Sequence, residues 1–235
     1  MHVTVEIIDP VSSSVFDEIY NYFSYIDTTF STFKKTSEIT KINEGKLDKQ
    51  QYSKDMKTIL ALCNQTKQGT DGFFDIKRNG KLDPSGLVKG WAINNAATML
   101  KQKGLTNYCV DAGGDIQVSG HNDKGKPWTV GIRNPFNIKE VVKVLRIVSE
   151  GVATSGTYER GNHVYNPKNH KPVTDIVSLT VIGPNVYEAD RFATAAFAMG
   201  PDGIAFIDRL ENFEGYMINN KGMATYTRGF EKFIV

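Results

Sequence analysis

The sequence changes its hydrophobic period at Tyr108, and this constrains the fold more than any other feature. Before it, apolar residues recur at helical spacing; after it, they largely alternate. Val15, Ile19, Phe23, Ile26 and Phe30 lie three, four or seven apart behind Ser14, which is read as a helix cap. A second helix carries Met56, Ile59, Leu60 and Cys63 inward and stops at Gly69. A third runs from about Leu87 to Lys103, with Gly104 past its end. Residues 31–43 read as an irregular loop with a short helical turn. A strand at Val3, Val5 and Ile7 precedes the first helix. Beyond Tyr108, strands are expected near Cys109, 116–118, 128–132, 142–148 and 177–182. Helices follow over 189–199 and 201–210, then a hairpin of 216–218 with 225–227. Elements that come in blocks favour an α+β fold of layered mixed or antiparallel sheets with packed helices over a doubly wound parallel sheet.

At 235 residues the chain can bury roughly 70% of its surface without help from disulfides or metals, so residues 1–235 are expected to form one domain. Twenty-eight basic against 26 acidic residues, scattered among one another, argue against a nucleic-acid partner. No apolar run is long enough for a membrane segment. The amino terminus alternates like a strand and lacks the cationic start and apolar stretch of a secretory signal, so a cytoplasmic location is expected. Cys63 and Cys109 stand apart in apolar settings and read as buried, reduced thiols.

Four segments combine residue types that can do chemistry. Asp83-Pro84-Ser85-Gly86-Leu87-Val88-Lys89-Gly90 places a carboxylate, a small-residue turn and a lysine at a helix start. It suits phosphate oxygens but equally serves as a plain helix start. Asp111-Ala112-Gly113-Gly114-Asp115 sets paired glycines between two strands, either as a nucleotide-lining turn or as a tight bend. In Glu188-Ala189-Asp190-Arg191-Phe192-Ala193-Thr194, Asp190 and Thr194 share a helix face. A carboxylate and a hydroxyl suit a hard cation such as Mg²⁺ better than Zn²⁺; the plain alternative is an acid at a helix start and a threonine bonded back to the backbone. Thr154-Ser155-Gly156-Thr157-Tyr158 reads as a polar loop. It precedes His163-Val164-Tyr165-Asn166-Pro167, a histidine on a short extended piece, which can carry a proton or be purely structural.

In this order the segments resemble the ApbE family of FAD:protein FMN transferases. Ser31-Thr32-Phe33, Ser37-Glu38-Ile39 and Asn43 are similar to the family's early S-x-[FY]-x-x-x-S-E-[IL]…N block, and Gly72-Phe73-Phe74-Asp75 to its G-x-F-D block. The four segments above are similar to its D-L-G-A-I-A-K-G, G-G-D-I, A-D-x-x-[SA]-T, and T-S-G-x-Y with H-[IV]-I-D-P. The resemblance implies two intertwined T-fold-like sub-domains, with FAD as substrate in a groove between the halves and Mg²⁺ at its pyrophosphate. A threonine or serine hydroxyl of an acceptor protein would attack the FMN-side phosphorus, and AMP would leave. It implies further that Gly86 (through its carbonyl), Asp190 and Thr194 hold the metal and that His163 is the catalytic base. Asn43, Phe74, Asp75, Asp83, Lys89, Gly113, Gly114, Asp115 and the backbone at Tyr165 would contact FAD. Two alternatives stay open: an FAD pyrophosphatase giving FMN and AMP, and a flavin-binding protein without turnover.

The chain departs from the family pattern in places. Only 76–82 separate the F-D block from the lysine helix, and Asn94 and Asn166 stand where carboxylates are usual. Lys168-Asn169-His170 replaces a T-G turn, with Asn169 expected to take the positive φ.

Overall fold

The computed structural model describes residues 2–157 and 165–235. Its element order is β1 (Val3–Ile7), α1 (Ser14–Phe30), α2 (Glu38–Asn43), α3 (Lys54–Gly69), β2 (Lys77–Arg78), β3 (Lys81–Leu82), α4 (Ser85–Gln102), β4 (Tyr108–Ala112) and β5 (Asp115–Ser119). There follow β6 (Trp128–Asn134), β7 (Asn137–Ile147), β8 (Gly151–Gly156), β9 (Tyr165–Asn166), β10 (Lys171–Pro172) and β11 (Ile176–Gly183). The chain ends with α5 (Val186–Ala198), α6 (Gly203–Asp208), β12 (Glu214–Asn219) and β13 (Ala224–Tyr226). Among the described residues, no helix is long and apolar enough to cross a membrane.

Seven strands form one sheet in the order β1-β4-β5-β8-β11-β12-β13, every pairing antiparallel. Side-chain alternation then sorts the core into layers. Val152, Ile182, Tyr216 and Ile218 point to one face, where the β6–β7 ribbon covers them with Trp128, Val130, Ile132, Leu145 and Ile147. Ala153, Val181 and Met217, each one residue along, point to the other face and meet α5 and α6. The amino-terminal helices α1, α3 and α4 close over β1 and β4 on a third set of buried residues. The layered α+β class expected from the periodicity is the one found.

α4 is buried along most of its length, with the polar residues Asn94, Thr98 and Lys101 on one stripe of its second half. Leu87, Val88, Ala92, Ile93, Ala96, Ala97 and Leu100 are all buried, because α1, α3, β4, β5 and α5 pack against it. Both cysteines are free; Cys63 is buried as expected, Cys109 is only half-buried, and burial pushes both thiols up to about 12.

Several local expectations are corrected. Ser14 is the first residue of α1 rather than its cap; Ser13 takes the cap position and makes no side-chain cap bond. Thr154, Ser155 and Gly156 are not loop but the end of β8, paired with Thr180, Leu179 and Ser178. Runs of small polar residues look like loop when read singly, and here a central ladder holds them extended. α5 starts three residues before the expected Ala189, because Asn185 caps it by accepting from Glu188 N at 2.9 Å. In the 168–170 turn, His170 and not Asn169 has the positive φ, +58°. Asn169 instead uses its side-chain oxygen to accept from Lys171 N at 2.9 Å.

Candidate active site

The site is built where two antiparallel helices touch through their smallest residues. Gly86 and Gly90 are one turn apart on α4, and Asp190 and Thr194 one turn apart on α5. Thr194 Oγ1 donates to the Gly86 carbonyl at 3.3 Å, and Gly90 N donates to Asp190 Oδ2 at 2.7 Å. No larger residue fits: a Cβ on Gly90 would lie 2.6 Å from Asp190 Cβ and 2.7 Å from the Val186 carbonyl. A Cβ on Gly86 would meet Thr194 Cγ2 at 3.0 Å and the Phe74 ring at 3.5 Å. The metal-ligand trio expected from sequence is therefore together in space, although 104 residues separate Gly86 from Asp190 (190 − 86).

β5 supplies the third side. Asp115 begins this strand and is 1% exposed. Its Oδ1 accepts from Thr154 N at 3.1 Å, and its Oδ2 lies 2.7 Å from Lys89 Nζ without an aligned hydrogen bond. Asp190, 4% exposed, sits against it. Burial first, and then the Asp115 carboxylate, push the Asp190 carboxyl well above the ordinary carboxylate range; Lys89 and the Gly90 N–H pull it back only in part. Among the described residues, the two buried carboxyls share one lysine. The donor set is all oxygen: the Asp190 carboxylate, the Thr194 hydroxyl and a carbonyl with lone-pair capacity at Gly86. That set fits a hard divalent cation. Among the described residues, no cluster of three His, Cys, Asp or Glu offers an alternative metal site.

The residues expected at FAD divide into two groups. Asp83 stands exposed at the α4 start, while Lys89, further along the same helix, pairs with the buried Asp115 at 2.7 Å. Asp83 Oδ1 accepts from Ser85 N at 3.1 Å, and a cleft of about 380 Å³ opens beside it, bordered by Asn43, Arg78 and Leu82. Asp75, Asn43, Gly113 and Gly114 are occupied within the chain. Asp75 pairs with Lys67 at 2.7 Å. Asn43 spends both amide atoms on Leu82, accepting from its N at 2.8 Å and donating to its carbonyl at 2.9 Å. The two glycines form a two-residue hairpin turn with φ of +65° and +88°, which only glycine adopts cheaply. Both amides have partners within the chain, Gly113 N donating to His2 O and Gly114 N to Asp111 Oδ1, so the tight bend of the two readings is the one seen.

Phe74 is a core residue with its ring edge at the Gly86 turn. Tyr165 lies on β9 under the Arg78 guanidinium, 4.5 Å from its ring centroid, and its hydroxyl donates to the Lys77 carbonyl at 3.3 Å. His163 lies outside the described residues.

Gly90, which packs against Asp190 and donates to it, was not singled out from the sequence. Its signal was present, since a glycine inside a strongly apolar helix commonly marks a close approach.

Comparison with known proteins identifies relatives of the chain and of its fold. The ApbE family model matches residues 1–79 and 76–217. The FAD:protein FMN transferase of Escherichia coli K12 is 33% identical over 151 residues, 60% of this chain and 43% of that protein. That of Haemophilus influenzae is 32% identical over 148 residues, 58% of this chain and 43% of its own. These matches thus span less than half the length of the curated relatives. The flavin transferase ApbE of Vibrio cholerae superposes with a TM-score of 0.84 at 21% identity, covering 98% of this chain and 95% of that one. The ApbE protein of Thermotoga maritima gives 0.85 at 22%, covering 97% and 94%. With the family model spanning most of the sequence and the fold shared nearly end to end, the chain belongs to the ApbE family.

Proposed function

We propose that this protein transfers FMN from FAD to a threonine or serine hydroxyl of an acceptor protein, releasing AMP, with Mg²⁺ bound by the Gly86 carbonyl, Asp190 and Thr194. The observation that carries this reading is the convergence of those three oxygen donors, with Asp115 and Lys89 beside them, at one α4–α5 contact.

A divalent cation held there would neutralise charge growing on the phosphoryl oxygens as the flavin diphosphate is cleaved. Asp190 must give up its proton to bind such a cation, and Asp115, already paired with Lys89, favours that cation electrostatically. Lys89 and the amino-terminal end of α4 add positive field at the diphosphate. Asp83, exposed at the cleft beside that helix start, orients the nucleotide. Asn43 acts one step back, by holding the 81–82 strand that leads into Asp83. His163 takes the proton of the attacking hydroxyl, the role that the family motif gives it. The catalytic unit is soluble and cytoplasmic in this reading.

The test is incubation with FAD and Mg²⁺, with and without an acceptor peptide containing threonine, followed by mass spectrometry. Acceptor gaining one FMN, with AMP released in step, is expected. Free FMN formed equally without acceptor would overturn the transferase reading. His163→Ala is expected to keep FAD binding and slow transfer by roughly two to four orders of magnitude; a near-normal rate would remove it from the mechanism.

A further inference from the structure

Gln117 is buried on β5, two residues from Asp115 and on the same face of the strand. Nothing in its sequence context singles it out, yet its side-chain amide is fully engaged. Oε1 accepts from Val186 N at 2.8 Å, while Nε2 donates to the Ser149 and Val118 carbonyls at 3.0 Å each. Val186 is the first residue of α5, and its N–H has no partner inside the helix. Ser149 lies in the turn that enters β8, whose Thr154 N–H holds Asp115.

We infer that Gln117 is a positioning residue for the site: it fixes where α5 begins along its own axis, and so where Asp190 and Thr194 come to rest against α4. The tolerance it must meet is small. Asp190 and Thr194 are one and two turns from Val186; Asp190 meets Gly90, which has no room for a methyl group, and Thr194 meets Gly86, where a Cβ would already lie 3.0 Å from Thr194 Cγ2. A slide of α5 by a fraction of its pitch would separate Thr194 from the Gly86 carbonyl and drive the Asp190 side chain along Gly90. Gly151, the first residue of β8, supplies the matching stop, because a Cβ there would overlap Val186 N and Asn185 C. β8 thus abuts the end of α5 that Gln117 ties down. An apolar side chain at 117 would leave the buried Val186 N–H without its partner.

The inference rests on the proposed function where it concerns the cation, and its test separates the two. Gln117→Met keeps the length and apolar stem but removes all three hydrogen bonds. Ile132→Ala, in the ribbon on the opposite face of the sheet, serves as a destabilised control. Two readouts are taken on the full chain: hydrogen exchange of residues 186–194 in the cation-free protein, and the Mn²⁺ concentration that half-saturates binding in the presence of FAD. In Gln117→Met, exchange over 186–194 is expected to rise at least ten-fold and the half-saturating concentration by roughly ten-fold or more, the usual scale for removing a group that orients metal ligands. Ile132→Ala is expected to lower the melting temperature while leaving both readouts near wild type. Unchanged exchange in Gln117→Met, or an equal rise in both variants, would overturn the inference. If the wild type takes no cation, the functional reading fails, and the exchange experiment still decides the role of Gln117.

Discussion

At the scale of single residues, the α4–α5 contact depends on absent atoms as much as on present ones. Gly90 has no side chain because Asp190 needs the space, and Gly90→Ala tests this directly. A methyl group 2.6 Å from Asp190 Cβ must push α4 and α5 apart. The variant is expected to lose about 1–3 kcal/mol of stability, as overpacked cores do, and at least ten-fold in activity; calorimetry and the transfer assay check both. A variant as stable and active as wild type would show that the helices are not in contact there. Asp190 gives a second test, through pH. Its carboxyl is raised in the folded protein, so its contribution to cation-free stability is full below the ordinary carboxylate value of 3.8 and lost as pH rises through the raised value. Asp190→Asn removes that loss. The melting temperature of the cation-free variant is expected to exceed wild type at pH 8 and to match it near pH 4. A gap of the same size at both values would show that Asp190 is not held above its ordinary range.

At the scale of elements, what was legible in the sequence follows from how local each signal is. α1, α3 and the β12–β13 hairpin were readable because their apolar spacing and turn residues lie within one short window. β8 was not, since Thr154, Ser155 and Gly156 are small and polar and become strand only by pairing with β11 on one side, while β5 meets the start of β8 on the other. Among site residues, Gly86, Asp190 and Thr194 were reached through family motifs, and no spacing rule could have joined them across some hundred residues. Gln117 was missed for the same reason: its three partners lie on β5, the β7–β8 turn and α5. The β2–β3 hairpin hangs on Asn43, whose two hydrogen bonds to Leu82 span 39 residues. Asn43→Ala is expected to cost about 1–3 kcal/mol by leaving Leu82 backbone groups unpaired. It should also raise the KM for FAD with little change in kcat, as steady-state kinetics would read. A fall in kcat at unchanged KM would instead place Asn43 in the transfer step itself.

At the scale of the whole molecule, three layers give the site its rigidity. The β6–β7 ribbon seals one face of the sheet, so that β5, β8 and β11 form a stiff platform. α4, packed against α1, α3, β4 and β5, and α5, laid against it, then meet over that platform with little freedom to adjust. Charge balance bears on the arrangement too, because among the described residues the buried acidic pair has one lysine beside it, and on the proposed function a bound cation would offset the remaining cost. The most direct test of this account is anomalous diffraction from crystals grown with FAD and Mn²⁺. It predicts one strong peak within about 2.0–2.6 Å of the Gly86 carbonyl, an Asp190 carboxylate oxygen and Thr194 Oγ1, facing the flavin diphosphate. A peak elsewhere, with those three oxygens still bonded only to one another and to Gly90, would contradict it.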